Sequence, residues 1–436
     1  MTELQRLVGP EFVAPYASGR SLTSVPSTVG HLLGAGEGWR SAPLTLPVLP
    51  GDGRRVVLLL VDGLGHHRLA DQLARGDTGL ATLLERHAPG WSRSEPLGEP
   101  LVTVAPSTTV VATTVLAGNG AGPAETGFLG YTQYLPRLGF VANMLFWRPA
   151  WAAAARGGDL EAWGLAPEAA LPTSTVYKLL ASQGVASTAF YPHEITRSPL
   201  SRMQTAGARM HGYIGWVDLL TQLGEHLEAS AGERGYTFAY FPDLDSLQHR
   251  DGPRSASYAP LLDAFASGLT RLLEGLSPAA RRDTVVLVTA DHGHRAVPAA
   301  EAAYLGELTD LRRLLARREG GEPRHVYLYA RPGAADDLHA AAVARLGESF
   351  LVLRGAQALT AGLYGDPRHL HPEASMRVGD VVLLARGGAA LWEAERVRAE
   401  PGRHGTGPAD LPAGMHGSLT PEEMLVPFLT LDLGAG

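Results

Sequence analysis

Cysteine is absent from this 436-residue chain. Disulfides and thiolate metal sites are therefore excluded, and any metal ion has to be held by histidine and carboxylate side chains. Long basic runs are absent too, and the formal net charge is −7. That balance is a poor fit to binding a nucleic-acid polymer through its phosphates. No apolar run approaches the ~20 residues that cross a bilayer, so no membrane partner is expected. The opening residues, MTELQRLVGPEFVAPY, lack a basic start followed by an apolar core, and no signal peptide is visible. A cytoplasmic location is the expectation. The G-x-S-x-G of serine hydrolases and the G-x-x-x-x-G-K-[ST] of P-loop enzymes are both missing. So are internal repeats and low-complexity tracts.

What is present is a set of apolar runs that end in acids and imidazoles. Val285-Val286-Leu287-Val288-Thr289-Ala290 leads into Asp291-His292-Gly293-His294. A Val/Leu run of this kind needs burial on both faces, as in a parallel sheet. Ligands of such sheets bind beyond the carboxyl ends of the strands, where Asp291 and His292 fall. Residues 55–62 (RVVLLLVD) repeat the pattern, with Asp62 at the end and a Gly-Leu-Gly turn before a helix near His66. Residues 236–241 (YTFAYF) repeat it again and run into Asp243, Asp245 and His249. The D-x-D start resembles a calcium loop only faintly, because Gln248 stands where such a loop requires glycine. Four residues apart, Asp245 and His249 can meet one ion if the segment makes a helical turn.

Residues 101–118 (LVTVAPSTTVVATTVLAG) carry two signals. Their Thr and Val content favours a strand. Pro106-Ser107-Thr108 and Gly118 favour a helix start and stop, which would place Thr109 in a first turn whose N–H groups attract anions. Residues 119–150 read as loop, with Tyr131, Tyr134, Phe140, Asn143, Phe146 and Trp147 as local packing or pocket lining. Helices are expected near 29–33, 174–182, 216–229 and 258–276, and a strand at 185–191. After Gly320 the chain changes to short strands around a helix at 335–346. By element count this is a small α+β insertion over 321–404, set into a core of 1–320 and 405–436. A Gly/Pro-rich return at 402–414 precedes His416-Gly417 and a closing helix start and strand.

Gathered together, Asp62, Thr109, Asp245, His249, Asp291, His292 and His416 form a His/Asp set without cysteine, the donor chemistry of a two-zinc or two-manganese site. In this order the motifs resemble the alkaline phosphatase superfamily, most closely its type I phosphodiesterase/nucleotide pyrophosphatase family. The resemblance rests on the strand-Asp-Gly at Asp62, Pro106-x-x-Thr109, Asp245-x-x-x-His249, Thr289-x-Asp291-His292-Gly293 and His416-Gly417. It implies an α/β fold with a largely parallel central sheet sandwiched between helices, and Thr109 at a helix N-terminus. It also implies one divalent metal held by Asp62, Asp291 and His292, a second held by Asp245, His249 and His416, and Thr109 as nucleophile beside the first. Zn2+ is the expected ion, with Mn2+ the alternative. The expected substrate is a small-molecule phosphate ester, which a nucleotide would satisfy, cleaved through a phospho-threonine.

The chain departs from the family in two places. Val110 follows the nucleophile where an aromatic residue is usual. Tyr131 stands where a phosphoryl-contacting Asn is usual, so Tyr131, Asn143, Phe146 and Trp147 are candidate substrate contacts. No Cys/Ser-x-Pro-x-Arg motif of a sulfatase is present, and Thr109 disfavours the serine-based phosphoglycerate mutases of the same superfamily. A phosphomonoesterase or a phosphonate (C–P) hydrolase on the same core are the alternatives. A non-catalytic metal-binding protein is the competing class, and it would have no use for Thr109. His66, His67, His193 and His294 lie beside the motifs and are expected at most to support the ligands.

Overall fold

A computed structural model describes residues 2–46, 54–76, 78–93, 97–152, 158–282, 284–393 and 411–433. The three acid-ending runs lie side by side in a six-stranded sheet. Its order is Phe428–Asp432, Thr284–Thr289, Arg55–Val61, Gly235–Phe241, Ala186–Pro192, Arg209–Tyr213. Every neighbouring pair is parallel except Phe428–Asp432, which runs antiparallel to Thr284–Thr289. The two central runs are buried along their whole length, as their unbroken Val/Leu composition requires. Register decides where the chemistry goes. Leu60 pairs with Thr289 and Val61 with Phe241, so Asp62, Asp291 and Pro242 come at one level where the chain leaves the sheet.

Helices complete the core. Gly215–Ala229 and Tyr258–Gly275 contribute Leu219, Leu223, Leu262, Phe265 and Leu269 to the same apolar cluster as the sheet. Phe265 stacks on Phe241 with ring centroids 4.1 Å apart. The fold is thus α/β with a largely parallel central sheet and helices, as expected. The expected helices and strands appear with small shifts, for example Val176–Ser182 and Ala186–Pro192. Among the described residues no helix is long and apolar enough to cross a membrane.

One open sequence reading is resolved and one changes. Residues 101–118 are neither all strand nor all helix: Leu101–Val102 is a short strand, and Thr109–Ala117 is the helix. Burial overrides β-propensity there. Every residue from Val110 to Ala117 is buried, and the threonines bond back along the helix, Thr114 Oγ1 to Val110 O at 2.6 Å. Residues 119–150 are not mainly loop. They hold the strands Thr132–Leu135, Phe140–Asn143 and Arg148–Pro149. The runs are too short for a two-residue alternation to stand out.

Those strands belong to a second, antiparallel sheet of seven. Its order is Phe350–Arg354, Val381–Ala385, His325–Leu328, Gly320–Glu322, Thr132–Leu135, Phe140–Asn143, Arg148–Pro149. Residues from the expected insertion therefore share a sheet with 132–149, joined by the pairing of Gly321 with Thr132. The end of that segment, 394–404, lies outside the described residues, as does most of the return at 402–414.

Candidate active site

Asp62 and Asp291 sit at adjacent strand ends and are 1% and 0% exposed. Asp291 Oδ1 accepts from the backbone N–H of Gly63 at 3.2 Å and of His292 at 3.0 Å. Tyr240 donates its hydroxyl to Asp62 Oδ2. One oxygen of each carboxylate is thereby fixed. The other, Asp62 Oδ1 and Asp291 Oδ2, is buried and accepts no hydrogen bond from the described residues. His292 Nε2 lies 3.6 Å from Asp62 Oδ1 and 3.4 Å from Asp291 Oδ2. Thr109 Oγ1 lies 3.2 Å from the same nitrogen. Thr109 is the first residue of its helix, so the hydroxyl stands beside first-turn N–H groups that lack intrahelical acceptors.

The loop that carries His292 admits no side chain at Gly293. A Cβ there would lie 2.1 Å from Glu422 O and 2.8 Å from Gly65 Cα. Beyond it, Arg295 pairs with Met415, which brings His416 against the loop. The rings of His292 and His416 stack at 3.7 Å.

A second group of donors adjoins the first. Asp245 and His249 lie on the helix Asp243–Asp251, the helical turn their spacing requires. Asp245 Oδ1 is 3.3 Å from His249 Nε2, 3.8 Å from His416 Nε2 and 2.8 Å from His294 Nε2. Asp245, His292, His294 and His416 each place a donor atom within 4.8 Å of the others, and so do Asp62, Asp291 and His292. The two groups share His292.

Hydrogen bonds fix how these rings face. His249 Nδ1 lies 2.9 Å from Gly414 O, and His416 Nδ1 lies 3.0 Å from Ser107 O. A carbonyl only accepts, so each Nδ1 carries a proton and, in the neutral ring, each Nε2 presents a lone pair. Those two Nε2 atoms are 3.2 Å apart. Facing lone pairs and orphaned carboxylate oxygens fit cations between them.

The electrostatics agree. Burial, then the neighbouring Asp291 and Asp245, push the Asp62 carboxyl well above its usual range. Burial lifts Asp291 to about 6, with Asp245 adding. Burial drives His292 well below the ordinary imidazole value. For His416 burial opposes the charged form, but Glu322 and the aspartates overcome it and raise its pKa to about 9, so a cation that takes the Nε2 lone pair displaces a proton. Three acids crowded in a dry site are relieved by positive charge, which a divalent ion supplies.

The candidate substrate contacts fare differently. Trp147 is fully buried, and its indole N–H donates to Leu165 O at 2.9 Å. Asn143 is buried, and its Oδ1 accepts from the N–H groups of Leu145 and Phe146, both at 3.0 Å. Asn143 Oδ1 thereby holds the 143–147 turn, and Trp147 ties that turn to Leu165. Tyr131 and Phe146 are half-buried; Tyr131 packs against the cluster that contains Val110, and the Arg148 guanidinium lies 4.7 Å from the Phe146 ring. His66, His67 and His193 stand outside both donor groups, whereas His294 is inside one.

Sequence reasoning missed the support behind His416. Glu322 is 4% exposed, and its Oε2 lies 3.4 Å from His416 Nδ1. His325 Nδ1 lies 3.1 Å from Gly417 O. Arg324 pairs with Glu423 through two bonds, 2.7 and 2.9 Å, with both side chains fully buried. All three come from the hairpin Gly320–Leu328, and no local pattern marks them.

The type I phosphodiesterase/nucleotide pyrophosphatase family model matches residues 56–418. No curated protein matches. Among solved structures, murine ectonucleotide pyrophosphatase/phosphodiesterase 5 is similar at 16% identity and TM-score 0.59, over 86% of this chain and 87% of that one. The human protein of that name is similar at 14% identity and TM-score 0.60, over 86% and 87% of the two chains. Phosphonoacetate hydrolase from Sinorhizobium meliloti 1021, in complex with phosphonoformate, is similar at 17% identity and TM-score 0.59, over 86% and 89%. At these identities the structures speak to the fold.

Proposed function

The chain belongs to the type I phosphodiesterase/nucleotide pyrophosphatase family, hydrolases of phosphoric ester and anhydride bonds, and we propose that it cleaves phosphodiesters through a phospho-threonine on Thr109. The observation that carries this reading is the approach of Thr109 Oγ1 to His292 Nε2, 3.2 Å, at a helix N-terminus that opens onto both donor groups.

Asp62, Asp291 and His292 would hold one divalent ion, and Asp245, His249 and His416 a second; zinc suits the imidazole content best. Bound there, such ions lower the pKa of a coordinated hydroxyl and neutralise charge on the phosphoryl oxygens. Thr109 Oγ attacks phosphorus and gives up its proton to solvent water. The bond from phosphorus to the leaving oxygen breaks, and that oxygen keeps the electron pair. Water then attacks the phospho-threonine, the P–Oγ bond breaks, and Thr109 regains its proton. The first-turn N–H groups beside Thr109 orient the phosphoryl oxygens and add positive potential. Tyr240 and Gly63 keep the two acids aimed inward through both steps.

The substrate proposed is a small phosphodiester or pyrophosphate such as a nucleotide derivative. A murine relative is described in complex with AMP, and the half-buried Tyr131, which packs against the cluster that contains Val110, is proposed to meet the substrate's organic part. The 321–393 strands, built into the sheet that carries Glu322, are proposed as a cap that is also part of the site wall.

The test is turnover of bis-p-nitrophenyl phosphate, p-nitrophenyl phosphate and phosphonoacetate by the same preparation, with chelator and with zinc restored. Zinc-dependent preference for the diester is expected. Preference for the monoester or the phosphonate would replace the substrate assignment, and chelator-insensitive turnover would remove the metal.

A further inference from the structure

His294 has no assigned role in this family's chemistry as read above, yet its ring lies inside the second donor group. Two features of the chain put it there. Gly293 lets the loop pass against Glu422 and Gly65. The pairing of Arg295 with Met415 then draws His294 toward His416. In an extended stretch, residues two apart share a face, and the rings of His292 and His294 lie 5.5 Å apart, centroid to centroid. The His294 ring is 4.8 Å from that of His249 and 5.1 Å from that of His416. Its side chain is wholly buried.

We infer that His294 is a fourth protein ligand of the second site, which then holds its cation by Asp245, His249, His294 and His416. This rests on the reading that the site holds a divalent ion. Four donors about 2.0–2.1 Å from a tetrahedral zinc stand about 3.3 Å from one another. The donor separations here are 2.8 Å for His294–Asp245, 3.3 Å for His249–Asp245, 3.2 Å for His249–His416 and 3.8 Å for His416–Asp245. These values bracket the tetrahedral spacing. His292 belongs with the first site, where Thr109, Asp291 and Asp62 lie 3.2–3.6 Å from its Nε2.

Three imidazoles and one carboxylate select zinc or cobalt over magnesium or calcium. With four protein donors the second ion is held by one side chain more than the first, which keeps three side chains and room for Thr109. The two ions are thereby unequal. The second is the more firmly held, and the first is the one that exchanges.

The alternative role for His294 is to donate a hydrogen bond to Asp245 and touch no metal. Loss of affinity alone does not separate the two, because removing such an outer partner already costs about 10–100-fold. The deciding experiment counts imidazoles on each ion in the intact protein, loaded with 113Cd and carrying 15N-labelled histidine. Spin coupling of one cadmium to three imidazoles and of another to one is expected. Coupling of two and one overturns the role of His294 and leaves the metal reading in place. No coupled cadmium overturns both. As a second readout, cobalt-loaded wild type and H294Q are compared. Glutamine keeps a donor for Asp245 but removes the imidazole. A weakened tetrahedral visible spectrum supports ligation, and an unchanged spectrum contradicts it.

Discussion

Glu322 Oε2 lies 3.4 Å from His416 Nδ1, on a ring whose Nδ1 also faces Ser107 O at 3.0 Å. Glu322 comes from the hairpin of the second sheet, whereas Ser107 directly precedes the Thr108–Thr109 helix start. The imidazole is thus oriented at once from the second sheet and from the segment that opens the Thr109 helix. A carboxylate behind a metal-bound histidine fixes the tautomer and raises ligand basicity.

Glu322→Ala is therefore expected to weaken zinc binding at the second site by about 10–100-fold. Chelator competition followed by metal analysis measures it. Equal affinity of the variant and the wild type would show that Ser107 O alone orients the ring.

The Arg324–Glu423 pair ties the same hairpin to the segment after His416. Glu423 Oε1 also accepts from Ser418 N at 3.0 Å and Oε2 from the Thr420 hydroxyl at 2.6 Å, while Arg324 Nη1 donates to Ala389 O at 2.6 Å. Arg324→Met leaves the Glu423 carboxylate buried without its cation. Breaking a buried pair in this way costs about 3–5 kcal/mol. Denaturant unfolding should show that loss, and the double variant Arg324→Met, Glu423→Leu should recover much of it. A single variant as stable as wild type would mean that the hairpin does not depend on this pair for its place against the segment after His416.

Much of this site was legible in the sequence, and the physical reasons are specific. Buried parallel strands announce themselves by unbroken Val/Leu runs, and a shared register puts Asp62 and Asp291 at one level. Asp245 and His249 were readable because helical spacing links them. The Thr109 helix was ambiguous, since its Thr/Val content argues for strand until burial of the whole helix is known. Glu322, Arg324 and His325 were invisible because only the pairing of distant strands brings them to His416. For the same reason His294 read as a bystander: its place depends on Arg295 meeting Met415.

Acid stability has an identifiable contributor away from the site. His226 Nε2 lies 3.1 Å from Thr237 Oγ1, and burial, then the nearby His211, Arg55 and Arg209, lower its pKa to about 4. The unfolded chain takes up this proton near pH 6.5, before the folded one does. Stability is therefore lost as pH falls from about 6.5 to about 4. The slope from one group is at most about 1.4 kcal/mol per pH unit, and less here because the ring is half-buried and partly screened. His226→Gln should flatten the fall in unfolding free energy across that window. An unchanged slope would assign the acid sensitivity to other groups.

The most direct measurement is an acid quench during turnover of bis-p-nitrophenyl phosphate by the zinc-loaded protein, followed by peptide mass analysis. Thr109 should carry the p-nitrophenyl phosphoryl group, released p-nitrophenol should show a burst stoichiometric with enzyme where hydrolysis of the adduct is slow, and Thr109→Ala should abolish both adduct and turnover. Full activity of Thr109→Ala, or an adduct on any other residue, would contradict the assignment of Thr109 as the nucleophile.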